Sequence, residues 1–171
     1  MFEKIPDLID PVQCAEHNRR FNAAVKQSDL KRLRQQLVSS DEMIVVDLAF
    51  KRHPKLKAPM FTLQVKTRLC LECQRSLQPF WYEVDSEISG VYLPSLALAE
   101  GLDEEVEVYA LPEGKISTYE LIEEEVLLAI PMVPRQDKEI LTWQADSLGD
   151  ESEAVHEDKP NPFAMLQKLR T

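Results

Sequence analysis

The hydrophobic period of this chain changes twice. From Pro11 to Leu37 the apolar residues Val12, Ala15, Phe21 and Val25, then Leu30, Leu33 and Leu37, recur at spacings that fit helices. Asp10 followed by Pro11 reads as an N-cap and first helical residue, and Ser28 or Asp29 reads as the start of a second helix. After Ser39-Ser40-Asp41 the period becomes two. Ile44, Val46, Leu48 and Phe50 alternate with Met43, Val45, Asp47 and Ala49; Phe61, Leu63, Val65, Thr67 and Leu69 alternate with polar residues. Further strands are predicted over 80–88 and 106–111. The short connections between neighbouring strands favour antiparallel pairing. The helical period then returns over 118–130. There Ser117 and Glu120 form a capping box, and Leu121, Ile122, Val126, Leu128 and Ile130 form a core-facing stripe. Glu120, Glu123 and Glu124 fall near the positive end of the helix on a solvated acidic face, and Pro131 ends it.

These elements predict an α+β fold with a mainly antiparallel β-sheet, an N-terminal helical region over 11–37 and one acidic amphipathic helix. The single domain is expected to span 1–144. Residues 145–160 are acidic and poor in apolar side chains, the composition of a flexible linker. A short helix is expected over 161–171: Asn161 caps it, Pro162 opens it, and Phe163, Leu166 and Leu169 mark its apolar side. A helix that short is marginal alone in water, so these five residues form an expected partner-docking element.

Charge changes the picture. The formal net charge is −10. Residues 1–79 carry +5, however, and residues 80–171 carry −15. Phosphate neutralisation dominates nucleic-acid affinity, so any RNA contact has to use the basic part and turn the rest away. The residues expected to make it are Arg19, Arg20, Lys31, Arg32, Arg34, Lys51, Arg52 and Arg75. No apolar run is long enough to span a bilayer, and the N-terminus lacks a signal-peptide pattern. Three cysteines, an odd number, fit a reducing compartment. A cytoplasmic protein is the expectation.

Candidate chemistry is sparse. Cys70 and Cys73 form a C-x-x-C, half of a tetrahedral zinc site, but Cys14, His17, His53 and His156 are scattered and supply no second pair. Neither a metal nor another cofactor is expected. The chain has four glycines, too few and too dispersed for a phosphate-binding loop, and no base–nucleophile arrangement. An enzyme is not expected. Trp81 and Tyr82 read as strand residues with one ring buried.

Several blocks in fixed order resemble the YceD family, the bacterial large-ribosomal-subunit RNA accumulation proteins. They are Asp10-Pro11-Val12; Glu72-Cys73-Gln74-Arg75 followed by Pro79-Phe80; Ile122-Glu-Glu-Glu-Val-Leu-Leu-Ala-Ile-Pro-Met-Val-Pro134; and Lys159-Pro-Asn-Pro-Phe-Ala-Met-Leu166. Where family members often carry C-x-R-C, this chain has Cys73-Gln-Arg-Ser76. Arg135-Gln136-Asp137 and Ile140-Leu141 stand where relatives often have a histidine and a later cysteine. The resemblance implies a non-enzymatic role in the synthesis, processing or accumulation of 23S rRNA and in large-subunit biogenesis. Its partner is then either 23S rRNA or a large-subunit precursor, held by the basic part, or basic ribosomal and assembly proteins, held by the acidic part and the tail helix. No membrane partner is implied.

Overall fold

The alternation read over 61–69 continues further in both directions. In a computed structural model, which describes residues 4–95 and 106–136, Pro59–Glu72 forms one strand of fourteen residues (β4). It lies at the centre of a five-stranded sheet of order β2-β3-β4-β5-β6, with β2 Arg20–Lys26, β3 Met43–Arg52, β5 Pro79–Leu93 and β6 Val106–Ala110. The pairs β2–β3, β3–β4 and β4–β5 are antiparallel, as expected, whereas β5–β6 is parallel. A separate two-stranded ladder pairs β1, Leu8–Ile9, with β7, Ile116–Ser117. The helices are α1 Pro11–Glu16, α2 Lys31–Arg34 and α3 Thr118–Leu128.

The helical reading of 11–37 is corrected. Asp10 does cap α1, its Oδ1 accepting the amides of Val12 at 2.9 Å and Gln13 at 3.2 Å. The helix stops after Glu16, and Asn18 turns the chain with a left-handed φ of 47°. Residues 20–26 then pair along β3. Phe21, Ala23 and Val25 face the core side, while Arg20, Asn22 and Lys26 face solvent. The i,i+4 spacing of Phe21 and Val25 fits both a helix and a strand, and the apolar Ala23 between them resolves the period to two. The second helix is a single turn capped at Leu30, not at Ser28 or Asp29; those residues belong to a 3-10 turn, Gln27–Asp29.

Helix α3 keeps its expected start and loses its expected end. The Ser117 hydroxyl accepts the Glu120 amide at 3.3 Å and donates to Asp7 Oδ1 at 3.0 Å. Asp7 thus orients the cap hydroxyl, and no bond from the Ser117 amide to the Glu120 carboxylate completes the expected capping box among the described residues. The helix ends at Leu128, with Ala129 and Ile130 between it and Pro131, and Leu128 is 75 % exposed. Glu123, expected on a solvated face, is buried instead, and so is Glu125.

The core forms between α1, α3 and one sheet face, where Leu48, Phe50, Phe61, Leu63, Val65 and Ile122 are fully or almost fully buried. The phenyl ring of Phe61 also packs against Tyr92 and Tyr109, with ring centroids 5.5 Å apart in both cases. Gly90 makes that possible. A Cβ there would lie 2.4 Å from the Phe61 ring and 2.7 Å from Tyr109, so this strand position stays open for the rings. A smaller apolar cluster, Met60, Val91 and Leu93, occupies the opposite face.

Two buried polar side chains hold the α2 region to the rest. Gln27 Nε2 donates to Thr67 Oγ1 and to the Arg68 carbonyl, both at 2.8 Å. Glu123 reaches from α3 to the start of α2. One carboxylate oxygen accepts the amides of Arg32 at 2.6 Å and Leu33 at 3.1 Å, and the other accepts Arg32 Nε at 2.9 Å. Leu30, the N-cap by position, has no side chain to satisfy those amides, so Glu123 caps the turn from another helix. Burial works against its charge, but the hydrogen bonds from Arg32 and the two amides prevail and hold the carboxyl below its ordinary pKa.

Two outcomes follow for stability. Glu123→Ala should cost about 1–3 kcal/mol in denaturant unfolding, because it removes a cap and strands two amides. A carboxyl whose folded pKa is depressed contributes stability that is complete above its unfolded pKa, about 4.3, and is lost as pH falls through the lower folded value. The acid side of the stability curve should therefore be flatter in Glu123→Ala than in the native chain. Separately, Gly90→Ala should destabilise by about 1–3 kcal/mol through overpacking against Phe61 and Tyr109, as read in the same unfolding experiment.

Candidate nucleic-acid interface

The eight cations singled out in the sequence separate into groups. Arg19, Arg20, Lys51 and Arg52 meet where β3 turns into β4: the Phe50 amide donates to the Arg19 carbonyl at 2.8 Å, and Arg20 pairs with Ala49 in register. Lys31, Arg32 and Arg34 lie on α2. Arg75 lies in the turn after β4, between Cys73 and Gln78. Arg52 pairs in register with Pro59 and Glu72 with Pro79, at opposite ends of β4. At 3.3 Å per residue those ends are about 43 Å apart, so Arg75 cannot share a phosphate cluster with Lys51 and Arg52.

The hairpin between β3 and β4 is built locally. The His53 amide donates to the Ala58 carbonyl at 2.8 Å, the Lys57 amide to the His53 carbonyl at 2.9 Å, and the Leu56 amide to His53 Nδ1 at 3.1 Å. Lys57 takes a left-handed φ of 54° to close it. The result places Lys51, Arg52, Lys55 and Lys57 around one exposed tip with Arg19 beside it. Lys55 and Lys57 are not among the sequence-predicted residues, although the run KRHPKLKAP displays them. The six-residue loop between the strands is the feature that turns a basic run into a basic cluster.

Ion pairing decides which of these charges remain available. Arg20 forks onto Asp47, with Nε 2.8 Å from Oδ1 and Nη2 on the second oxygen. Arg52 Nη2 donates to Glu16 at 2.7 Å. Arg32 is held by Glu123, with Glu124 at 3.6 Å. Among the described residues, Arg19, Lys51, Lys55 and Lys57 form no ion pair within 4 Å, and neither do Lys31, Arg34 or Arg75. The hairpin end therefore holds four cations, Arg19, Lys51, Lys55 and Lys57, with no ion pair among the described residues.

The C-x-x-C pair does not converge. Cys70 aligns with Trp81 within the paired strands, whereas Cys73 lies beyond the end of β4 and packs with the core cluster. All three cysteines are free and buried. Cys73 has an ordered environment of its own: its sulfur accepts the Gln136 amide at 3.4 Å, and the Gln74 amide donates to the Pro134 carbonyl at 2.9 Å. The Ser76 oxygen is buried beside it without a well-aligned partner of its own. The Ser76 hydroxyl first, then the amides of Gln136, Ser76 and Arg75, stabilise the thiolate and bring the Cys73 pKa down to about 6. Of Trp81 and Tyr82, expected as strand residues with one ring buried, both lie in β5; Tyr82 is partly buried against the core and Trp81 is 51 % exposed, with the Arg68 guanidinium 5.1 Å from its ring centroid. The docking residues Asn161, Pro162, Phe163, Leu166 and Leu169, the linker 145–160 and His156 lie outside the described residues.

Residues 61–170 match the family described as large ribosomal RNA subunit accumulation protein YceD. A protein of Haemophilus influenzae with that same description is 28 % identical over 170 residues, which cover 98 % of this chain and 97 % of the relative. No solved structure matches.

Within the matched stretch, the Cys73 environment gives a measurable outcome. The thiol should ionise with a midpoint near 6, followed by thiolate ultraviolet absorbance in a variant retaining Cys73 as its single cysteine. Because the folded value lies below the ordinary 9.0, the thiolate's stabilisation is complete above pH 9 and declines as pH falls toward 6. Cys73→Ser should remove that slope between pH 6 and 9; an unchanged slope would place its origin elsewhere.

Proposed function

Because this chain belongs to the YceD family, we propose that it is a non-enzymatic factor for the accumulation of large-subunit ribosomal RNA and that it contacts 23S rRNA directly. The single observation that carries the contact is the basic hairpin: Arg19, Lys51, Lys55 and Lys57 are exposed there with no ion pair among the described residues. Lys55 and Lys57 lie in the loop, Lys51 at the end of β3 and Arg19 just before β2, so all four cations sit at one end of the sheet. They provide phosphate contacts, which position a nucleic acid without reading its sequence. The Haemophilus influenzae relative, a large ribosomal RNA subunit accumulation protein, supports the choice of RNA. The local use of the two described histidines supports a role without catalysis. His17 Nδ1 is bonded to the Gln13 carbonyl at 2.8 Å, and His53 closes the hairpin.

The structure also changes which substitution tests this reading. Reversing Arg32 would place a glutamate against the buried Glu123 carboxylate and disturb the α2 cap, so weaker binding would be confounded with a damaged fold. Lys51, Lys55 and Lys57 carry no such burden. In a filter-binding or anisotropy titration with 23S rRNA fragments, affinity should fall with salt at a log–log slope of about −0.7 to −0.9 per phosphate neutralised. The triple variant Lys51→Glu, Lys55→Glu, Lys57→Glu should weaken binding on unrelated fragments alike. It should also make the slope shallower by about one for each phosphate no longer neutralised. A triple variant that binds with native affinity and slope would remove the hairpin from the interface.

A further inference from the structure

A second feature shares no residue with the hairpin. Between β6, the β1–β7 ladder and α3 lies an open groove of about 410 Å³. Its walls include the two tyrosines Tyr92 and Tyr109, the apolar side chain of Leu8, and the carboxylates of Glu120 and Glu124. The tyrosines are brought together by the parallel β5–β6 pairing, which sets Tyr92 opposite Tyr109 in register with ring centroids 5.6 Å apart. Tyr92 is 4 % exposed, and its hydroxyl has no hydrogen-bond partner among the described residues. The ring is buried, but the oxygen is not among the enclosed polar atoms that lack a partner; it opens on the groove as an acceptor that a ligand can reach. Tyr109 is not in that position, since its hydroxyl donates to Glu107 at 2.9 Å. The carboxylates are also underused. Glu120 makes no ion pair among the described residues, and Glu124 has only a 3.6 Å contact with Arg32 in which both side chains are about half exposed. Such a pair is worth little. Leu8, 57 % exposed, adds an apolar lip.

We infer that this groove receives an arginine side chain from a basic segment of a protein partner. The chemistry of the walls selects it. A guanidinium is planar, stacks on an aromatic face and presents five N–H donors. Glu120 and Glu124 supply charged acceptors, and the Tyr92 oxygen supplies a neutral one at the floor. Burial, and then the charge of Glu124, push the Tyr92 phenol up, so it stays neutral across the physiological range and the groove keeps its acceptor pattern. Lysine would satisfy the charge without the stacking or the fork. Phosphates are disfavoured by Glu120, Glu124 and the neighbouring Glu107, so the groove is a poor seat for RNA. Lys115, the cation on the wall, is exposed and has no ion pair among the described residues; it competes with an incoming guanidinium. This inference stands apart from the RNA contact and does not require it.

The test uses the full chain and a fluorescent capped peptide of alternating arginine and glycine, with lysine and citrulline counterparts. Citrulline keeps the shape of arginine and removes its charge. The arginine peptide should bind, the lysine peptide more weakly, and the citrulline peptide not detectably. The double variant Glu120→Gln, Glu124→Gln should weaken the arginine peptide roughly tenfold or more, the effect expected for a charge-assisted hydrogen bond. Tyr92→Phe should weaken it about threefold, the low end for a neutral hydrogen bond, with the thermal midpoint held as a check on fold. Lys115→Gln should tighten it. The variant with Lys51, Lys55 and Lys57 reversed should keep native peptide binding, which separates failure of this site from failure of the RNA contact. Equal binding of the citrulline peptide, or native binding by both the Tyr92 and the double glutamate variants, would overturn the inference. So would displacement of the arginine peptide by a short uridine oligonucleotide whose own binding is abolished in Tyr92→Phe, since the groove would then be reading RNA.

Discussion

The constraint on which the rest depends is the pairing of β4 along both of its edges. On one side it is matched from Val45↔Lys66 to Arg52↔Pro59, and on the other from Met60↔Val91 to Glu72↔Pro79. A strand paired that fully has no freedom of register: a one-residue slip would turn Phe61, Leu63, Val65 and Leu69 out of the core. Its two ends are therefore fixed relative to each other. One end carries the basic hairpin, and the other carries the turn around Cys73. Anything that bends or shortens β4 alters the spacing of the two surfaces before it touches either.

Beside this rigid sheet, the small α2 turn is held mainly by side chains. It is four residues long, too short to persist by its own hydrogen bonds. Leu33 anchors it from below and Glu123 caps it from α3. The buried carboxylate is tolerable because three donors replace the water around it. That arrangement explains why an acidic stretch of α3 lies against a basic one: Arg32 and Glu123 are first of all a structural pair. Cations used this way are unavailable for a ligand, and formal charge along the sequence overstates what the surface offers.

Much of the sheet is legible in the sequence, because period-two alternation identifies a strand with little competition. Strands β3, β4, β5 and β6 can all be located that way, with β4 and β5 longer in the fold than their alternation suggests. What misleads is spacing that suits two periods. Phe21 and Val25 are four apart and fit a helix face or a strand face equally, so residues 20–26 read as helix although they pair as a strand. The burial of Glu123 is illegible for a different reason. Its partners lie about ninety residues away, and nothing local distinguishes it from the exposed Glu124 beside it. The same holds for the groove. Tyr92 and Tyr109 become neighbours only through a parallel pairing that strand periodicity does not specify. Of the candidate cations, the hairpin group is partly legible as a run of basic residues, but which charges are free depends on Asp47 and Glu16, contributed by other segments.

The sorting of charge by ion pairing gives the molecule its functional polarity. Glu16 and Asp47 neutralise Arg52 and Arg20 beside the hairpin, leaving Lys51, Lys55, Lys57 and Arg19 as a compact basic tip. On α3, Arg32 takes Glu123 and touches Glu124, leaving Glu120 without an ion pair among the described residues, at a groove floored by tyrosine. The carboxylates that would weaken phosphate binding at the tip are committed locally. The cation that would compete most closely at the groove, Lys115, is held by no ion pair among the described residues. The same acidic and basic residues that give the chain its lopsided formal charge thus settle into two surfaces of opposite preference, one suited to phosphate and one to guanidinium. The sheet carries the basic tip at one end of its central strand and the acidic aromatic groove beside its edge strand β6, so the two proposed contacts use different residues and can be removed one at a time.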